Sequence, residues 1–336
     1  DRLEDKDLGA VLFNTEFHRL DLRWDHVTRT NRTRAGITLA TDRVALTERD
    51  TADAGSSLET RGVRLRIETQ EALTRGLILR TGMEYEAERI SNEQDFTLGE
   101  EPTVFPRRVD LSGTVFLDFV AQPMRGIELV PGMRIDTGVW RNDSYFFPEP
   151  RLASRLRMWS GAAWVATFGR VHQLPTQSVR IPGIVANTLE SSVQESWQAA
   201  QGVEFVLPAS MLAKITLFHS WIDADQRDFS GRNYGVEAFL RRDFSERLGG
   251  FLAYTLSRTE LTTGRETFPS EFDRPHLLSA SLGYDFGTGI RAGFRAYYAS
   301  GQRFFFGCDP SGAVSAEAPE LCRRGRLPDF FRLDGR

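Results

Sequence analysis

Apolar and polar residues alternate through four successive runs between residues 196 and 258. The connections between these runs differ in length, because 208–210 and 243–246 are tight whereas 223–230 is longer and polar. Successive side chains of a β-strand point to opposite faces. The period of two therefore predicts four consecutive strands, each with one apolar face and one polar face.

The same alternation continues along the rest of the chain and predicts about fifteen strands in all. Segment 76–90 is the clearest case, because a helix made of it would scatter charge around its whole circumference. Apolar residues there alternate with charged ones, namely Leu77, Leu79, Met83 and Tyr85 with Arg80, Glu84, Glu86 and Glu88. The other predicted strands are 10–25, 32–47, 59–72, 108–121, 126–141, 151–158, 162–171, 275–286, 290–300 and a strand cut short at 326–334.

The predicted connections alternate between short and long. Short turns lie near positions 28, 74, 124, 160, 209, 244 and 288, and longer loops lie near 52, 99, 145, 182, 226, 266 and 312. Outer-membrane barrels have short periplasmic turns and long extracellular loops. Soluble β-sandwiches, propellers and β-helices have shorter strands than many of these runs, which exceed about ten residues. We therefore expect an all-β fold, an antiparallel transmembrane β-barrel.

Composition agrees with a barrel that has a wet interior. Of the 336 residues, 40% are hydrophobic, a little low for a globular chain. Runs of the ~18 apolar residues that a membrane helix needs are absent, which leaves spanning strands possible. The net charge of −4 gives no argument for a nucleic-acid partner. The first residues, DRLEDKD, lack a signal segment, so we expect a mature or cut piece.

Five stretches resemble the C-terminal part of the barrel of TonB-dependent outer-membrane receptors. They are residues 148–177 (PEPRLASRLRMWSGAAWVATFGRVHQLPTQ), 196–207, 232–260, 272–302 and 326–334 (RLPDFFRLD), and they follow the order found in that family. The resemblance implies a barrel of about 22 strands plugged by an N-terminal domain. We therefore expect residues 1–336 to form a partial barrel domain of about 15 strands, without the plug, the TonB-contacting box or the final strand.

The resemblance also implies a function. Such receptors lie in the outer membrane of Gram-negative bacteria and take up a scarce ligand with energy from the TonB complex. The ligand is an iron–siderophore, cobalamin or a glycan. Implied partners are outer-membrane lipid, the TonB complex through the missing plug, and a small molecule such as a metal chelate; the barrel is expected to be a monomer. A passive porin, or a structural or adhesive barrel, is the alternative.

No catalytic residue, cofactor or metal site is predicted. An outer-membrane hydrolase would need a Ser–His pair on one wall, and no spacing here indicates one. His18 and His26 share a strand face but lie ~26 Å apart, too far to bind one metal ion. Gly287 and Gly289 are interpreted as turn residues with positive φ rather than as part of a dinucleotide fingerprint.

Candidate ligand contacts are aromatic residues in predicted loops, which can stack on a planar chelate or a sugar. These are Phe96, Phe105, Phe304, Phe305 and Phe306. An aromatic girdle at the membrane boundary is an equal alternative for Phe304 to Phe306, and it is the preferred interpretation of Tyr145 to Phe147, in the predicted loop 142–148.

Charged residues with the opposite strand parity to the apolar ones are expected to line the lumen. They are Arg64, Arg66, Arg80, Glu84, Glu86, Glu88, Arg291 and Arg295. We expect them to pair with one another and with the plug, and steering of an anionic chelate is the sharper alternative.

The two cysteines, Cys308 and Cys322, lie close together in the longest predicted loop. We expect a disulfide between them, which would contribute ~3 kcal/mol by loop closure in the chain-entropy model. Such a bond indicates an oxidising compartment.

Overall fold

The structure is a computed structural model, and it describes most of the chain. The described residues are 2–5, 10–47, 55–94, 108–140, 143–174, 193–224, 229–245, 247–263, 266–270, 272–287, 289–306 and 323–336. In this part of the chain the regular elements are β-strands joined by turns and irregular segments. No helix there has the length and apolar character needed to cross a lipid bilayer.

The strands fall into long and short ones. The first part of the chain contains β1 (Arg2–Asp5), β2 (Ala10–Val27), β3 (Asn31–Thr47), β4 (Gly55–Thr74), β5 (Leu77–Gln94), β6 (Arg108–Met124), β7 (Ile127–Trp140) and β8 (Asp143–Trp159). The rest contains β9 (Ala162–Gln173), β10 (Gln194–Leu207), β11 (Met211–Ala224), β12 (Phe229–Ser245), β13 (Leu248–Thr263), β14 (Glu266–Pro269), β15 (His276–Asp285), β16 (Arg291–Ala299), β17 (Arg303–Phe306), β18 (Arg323–Arg326) and β19 (Phe330–Gly335).

The chain divides into two compact units. The first comprises residues 1–121 and 130–150, and the second comprises 122–129 and 151–336. In the first unit, β2, β3, β4, β5 and β6 pair in sequence order, each antiparallel to the next, and β1 pairs with the start of β2. Pairing of each strand with the next is the arrangement that short hairpin turns impose.

In the second unit the end of β8 pairs with β9, and β9 to β13 continue in sequence order. Strand β13 then pairs with the short β14 at its end and with β15 along its body. Strand β16 follows β15, and β19 pairs with β16. Strands β17 and β18 form a separate two-stranded sheet.

The predicted all-β antiparallel class is confirmed. Fifteen of the strands in the described residues are longer than four residues, in agreement with the expected number. The turn at 286–290 also follows the prediction, because Gly287 and Gly289 have φ values of +77° and +81°.

The predicted loop at 142–148 is wrong. Strand β8 begins at Asp143, and the rings of Tyr145 and Phe147 stack 5.1 Å apart within it. The Tyr145 ring lies over Gly138, where a β-carbon would overlap the Tyr145 hydroxyl and the Leu111 carbonyl oxygen. Cross-strand packing of aromatic residues favours a strand over a loop at this position.

The described residues contain no large side chain that is fully buried. Many large apolar side chains are instead exposed, including Phe17 at 78%, Leu22 at 58% and Leu217 at 50%. Exposed apolar surface on this scale is typical of a surface that contacts a nonaqueous environment or a partner.

Candidate functional site

One face of the first unit carries a ladder of ion pairs. Strand register places Arg64 opposite Glu86 and Arg66 opposite Glu84. Arg64 lies 2.5 Å from Glu86 and 3.4 Å from Glu84. Arg66 in turn lies 3.0 Å from Glu68 and 3.8 Å from Glu84. Two arginines therefore share the carboxylate of Glu84, and the structure brings four of the eight predicted lumen charges together.

Further ion pairs lie on other strands of the first unit. Arg34 on β3 bonds Asp25 at 2.7 Å and lies 3.6 Å from Glu68. Toward β8, Arg134 bonds Asp136 at 2.8 Å and lies 3.6 Å from Glu149. Opposite charges facing each other across strands stabilise their register.

The other four predicted lumen charges lie outside this group of four. Arg80 faces Gln70 and Asp118 in the strand register, on the same face as the ladder. Glu88, on that face too, is opposite Gly62 and Asp110. In the second unit, Arg291 pairs with Asp285 at 2.9 Å, and Arg295 is opposite Ser281 and Asp334.

The opposite face of the first unit is apolar. Met83 lies between Ile67 and Val115 in the strand register, and Tyr85 lies between Leu65 and Gly113. Met83 is 52% exposed although it is surrounded by other apolar residues. Leu77 and Leu79 have the same strand parity as Met83, so they share this face.

The second unit has an apolar face that ends in a band of arginine and aromatic residues. Val236 on β12 is opposite Leu217 and Leu256. Four positions closer to the long connections, Arg232 is opposite Trp221 and Glu260. Trp221 is opposite Trp197, which is opposite Arg170. The chemistry of this face therefore changes from aliphatic to cationic and aromatic along each strand.

A buried carboxylate organises the end of the second unit that carries the long connections. Asp273 is only 3% exposed. It bonds Nη2 of Arg326 at 2.7 Å and the backbone N–H of Thr259 at 3.0 Å, and Nε of Arg303 lies 3.7 Å away. Arg326 also donates to the carbonyl oxygens of Asp273 and Gly301. A buried carboxylate with these partners is satisfied in charge and in hydrogen bonding.

A second carboxylate, Asp329, holds the segment before β19 against β16. It accepts hydrogen bonds from the Tyr298 hydroxyl at 2.7 Å and from the Gly301 N–H at 2.8 Å. These two donors hold the pKa of Asp329 below its ordinary value, because they favour the charged form. Beside this network is a recess of about 480 Å³, lined among others by Tyr234, Leu256, Arg258, Asp273, Arg303 and Arg326.

Of the predicted ligand-contact aromatic residues and the two cysteines, only some lie within the described residues. Phe304 lies in strand β17 rather than in the predicted loop, because Arg303–Phe306 pairs with Arg323–Arg326. Its side chain is 36% exposed, and its ring packs beside Gly325. The backbones of Phe305 and Phe306 also belong to β17, but their side chains lie outside the described residues, as do Phe96, Phe105, Cys308 and Cys322.

Sequence reasoning did not single out Asp273 or Arg326. A signal existed, because Asp273 is in the family-like stretch 272–302 and Arg326 opens the stretch 326–334. Two opposite charges near the starts of two such stretches are candidates for an ion pair between them.

No protein-family model and no curated protein matches the sequence. Solved structures do match. The siderophore receptor PirA from Acinetobacter baumannii has a TM-score of 0.72 at 10% identity, over 97% of this chain and 56% of PirA. The fold is that of a TonB-dependent receptor barrel.

Two further solved structures match the chain over the same barrel fold. The FrpB iron transporter from Neisseria meningitidis has a TM-score of 0.71 at 12% identity, over 99% of this chain and 59% of FrpB. The pyoverdine receptor FpvA from Pseudomonas aeruginosa has a TM-score of 0.69 at 11% identity, over 96% of this chain and 55% of FpvA. The chain thus spans a little over half the length of these three receptors.

Proposed function

We propose that this chain forms part of the barrel wall of an outer-membrane receptor. The receptor takes up a scarce ligand of the iron–siderophore class with energy from the TonB complex. The observation that carries the proposal is the separation of the two sheet faces. One face is ion-paired through Arg64, Glu84 and Glu86, and the other exposes apolar residues such as Met83. A barrel wall between hydrocarbon and a wet lumen needs that separation.

The apolar face of β12 has the height of a bilayer core. Arg232 and Arg242 flank its alternate residues Tyr234, Val236, Ala238 and Leu240. Ten residues of strand cover about 34 Å, which a tilt of about 40° reduces to a height of about 26 Å. Outer-membrane barrels have an apolar band about 25 Å tall, so the two arginines fit its two boundaries.

The end with the long connections is the proposed ligand-binding end. The Asp273–Arg326 network gives the connections after β13 and β16 a rigid base, and loops held by a rigid scaffold commonly carry binding residues. Phe96, Phe105 and Phe304 to Phe306 remain the proposed ligand contacts. The lumen charges of the first unit, on this proposal, steer an anionic chelate and contact a plug domain.

The remaining partners follow from the same proposal. Outer-membrane lipid surrounds the apolar face, the TonB complex acts through a plug domain, and the barrel works as a monomer. The solved receptors PirA, FrpB and FpvA are described as a siderophore receptor, an iron transporter and a pyoverdine receptor. These descriptions favour an iron chelate over cobalamin or a glycan as the ligand.

An uptake experiment tests the proposal. Cells of the native host, with and without the gene, are given a panel of 55Fe-labelled siderophores and labelled cobalamin. We expect the deletion to abolish uptake of one ferric siderophore, and a protonophore to abolish it equally in wild-type cells. A porin would instead pass small solutes with the protonophore present and conduct ions constitutively in a planar bilayer, and that result would overturn the proposal.

A pair of variants tests the aromatic contacts within this assay. Phe304→Ala is expected to lower the affinity for the ferric chelate by about fivefold, since stacking contacts of this kind contribute about 1 kcal/mol beyond area burial. Phe244→Ala is the matched control, because Phe244 is 69% exposed and lies next to the short connection between β12 and β13. Equal affinity of both variants would remove Phe304 from the site.

A further inference from the structure

The band at the end of the apolar face in the second unit contains two groups of stacked rings, one around His219 and one around Trp197. We call it the arginine–aromatic belt, and its members are Arg170, Trp197, His219, Trp221, Arg232, Tyr234 and Arg258. The His219 ring stacks on Trp221 at 4.1 Å and on Tyr234 at 5.6 Å. Phe168 stacks on Trp197 at 5.2 Å, and the Arg170 guanidinium lies 5.9 Å from the Trp197 ring. Side chains with an apolar body and a polar tip suit a membrane interface.

The three arginines of the belt differ in their hydrogen-bond and ion-pair partners. Arg170 makes two parallel bonds of 2.5 Å with Glu195. Arg258 bonds Glu260 through Nε at 2.8 Å. Arg232 is exposed and forms no hydrogen bond or ion pair within the described residues. One cation of the belt therefore remains available to an external anion.

Arg232 and Arg258 are placed to hold one anion together. Tyr234 is opposite Arg258 in the strand register, so Arg232 and Arg258 are diagonal neighbours on the same face. Diagonal neighbours lie about 7–8 Å apart, within reach of two long side chains that converge on one phosphate. Guanidinium groups form short, charge-assisted bonds with phosphate oxygens.

The surroundings on the apolar side favour an anion that carries acyl chains. A recess of about 560 Å³ is lined by Ala166, Ala199, Leu217, His219, Tyr234 and Val236, among others.

Glu195 and Asp223 share the strand parity of the belt but are nearer to the long connections. Glu260 is directly opposite Arg232, and its carboxylate is bonded by Arg258 at 2.8 Å. The anion-accepting side of the belt thus faces the aliphatic residues. We propose that Arg232 and Arg258 bind the phosphate of a phosphomonoester lipid whose acyl chains lie against the recess at Leu217 and Val236. This inference rests on the proposed outer-membrane location.

The test uses the protein extracted from membranes into neutral detergent. Dioleoyl phosphatidic acid is titrated in, and binding is followed by native mass spectrometry. Dioleoyl phosphatidylcholine, with the same chains and no net charge, is the first comparison, and inorganic phosphate is the second. We expect phosphatidic acid to bind at least about tenfold more tightly than phosphatidylcholine, and millimolar phosphate to leave the complex intact.

Substitutions locate the site. The double variant Arg232→Gln/Arg258→Gln is expected to lose the preference for phosphatidic acid. Arg241→Gln is the matched control, because Arg241 is on the same strand with the opposite parity and pairs with Asp243 at 3.0 Å. Retained heat-modifiable migration in a gel identifies variants that are folded.

Three results would overturn the inference: equal binding of the two lipids by the wild-type protein, an unchanged preference in the double variant, or displacement by phosphate alone. The wild-type comparison needs no variant to fold. No transport substrate is present, so failure here with energised uptake intact removes the lipid site and leaves the proposed function standing.

Discussion

The carboxylate of Asp273 accepts the hydrogen bond from the backbone N–H of Thr259 that a neighbouring strand would otherwise accept. Strand β15 pairs with β13 only as far as Leu256, opposite His276, and β14 begins its pairing at Glu260. The N–H of Thr259 lies between these two partners and donates to the Asp273 carboxylate at 3.0 Å. A backbone donor at a gap in a sheet needs an acceptor, so Asp273 preserves the end of the sheet.

We expect Asp273→Asn to lower the free energy of unfolding by about 3 kcal/mol, since breaking a buried ion pair leaves the partner charge uncompensated. The loss arises because Asn keeps one acceptor for Thr259 but no longer neutralises Arg326. Urea unfolding in detergent, followed by tryptophan fluorescence, measures the change.

Asp243→Asn is the control for this substitution. The side chain of Asp243 is 62% exposed and pairs with Arg241 at 3.0 Å. Exposed pairs contribute at most about 1 kcal/mol, so this variant should unfold almost as the wild type does. An equal effect of the two substitutions would contradict the importance of burial at Asp273.

Gly301 is expected to tolerate no side chain. A β-carbon there would overlap the carbonyl oxygen of Leu327, a backbone atom that cannot rotate away. Gly301→Ala should therefore cost about 1–3 kcal/mol of stability, as overpacking does. Gly293→Ala has no atom within 4 Å of the new carbon and should change stability by less than about 0.5 kcal/mol. Similar melting temperatures for both variants would disprove the steric argument.

The Asp329 carboxylate should make stability depend on acid pH. Its pKa is lowered in the folded state by the Tyr298 hydroxyl and the Gly301 N–H. A lowered pKa stabilises the fold at pH values above the unfolded value of about 3.9, and the stabilisation is lost as pH falls through the folded pKa. Wild-type protein should thus melt at a higher temperature than Asp329→Asn at pH 6, and the difference should shrink toward pH 3. A difference independent of pH would refute this account.

Adjacent labels should distinguish the two faces of β5. Spin labels at Met83 and Glu84 differ by one residue and so report opposite faces. We expect oxygen, which concentrates in hydrocarbon, to relax the label at position 83 more strongly, and a water-soluble nickel chelate to relax the label at position 84. Water contact at Met83 in detergent or lipid would count against the proposed orientation of the wall.

Cys308 and Cys322 are expected to form a disulfide. Alkylation without reduction, followed by mass spectrometry, should leave both residues unmodified, and prior reduction should expose two thiols. Two alkylated cysteines in the unreduced protein would exclude the bond.

The local pattern of residues predicted the strands well and their contacts poorly. Alternation in 76–90 identified β5 and placed Met83 and Glu84 on opposite faces, because side-chain direction in a strand depends on position alone. It did not pair Arg64 with both Glu84 and Glu86, since that depends on the register between two strands. At Tyr145 the local signal failed, because packing over Gly138 extends a strand where the aromatic run indicated a loop.

By itself the sequence determined the all-β class, the two chemically different faces and the sites of tight turns such as Gly287, because each depends on a few consecutive residues. Only the tertiary structure joined Asp273 to Arg326, which lie 53 residues apart, and placed Arg232 diagonally across from Arg258 on neighbouring strands. Contacts of this kind depend on where long connections return the chain and on how strands are offset. No local pattern encodes those two quantities.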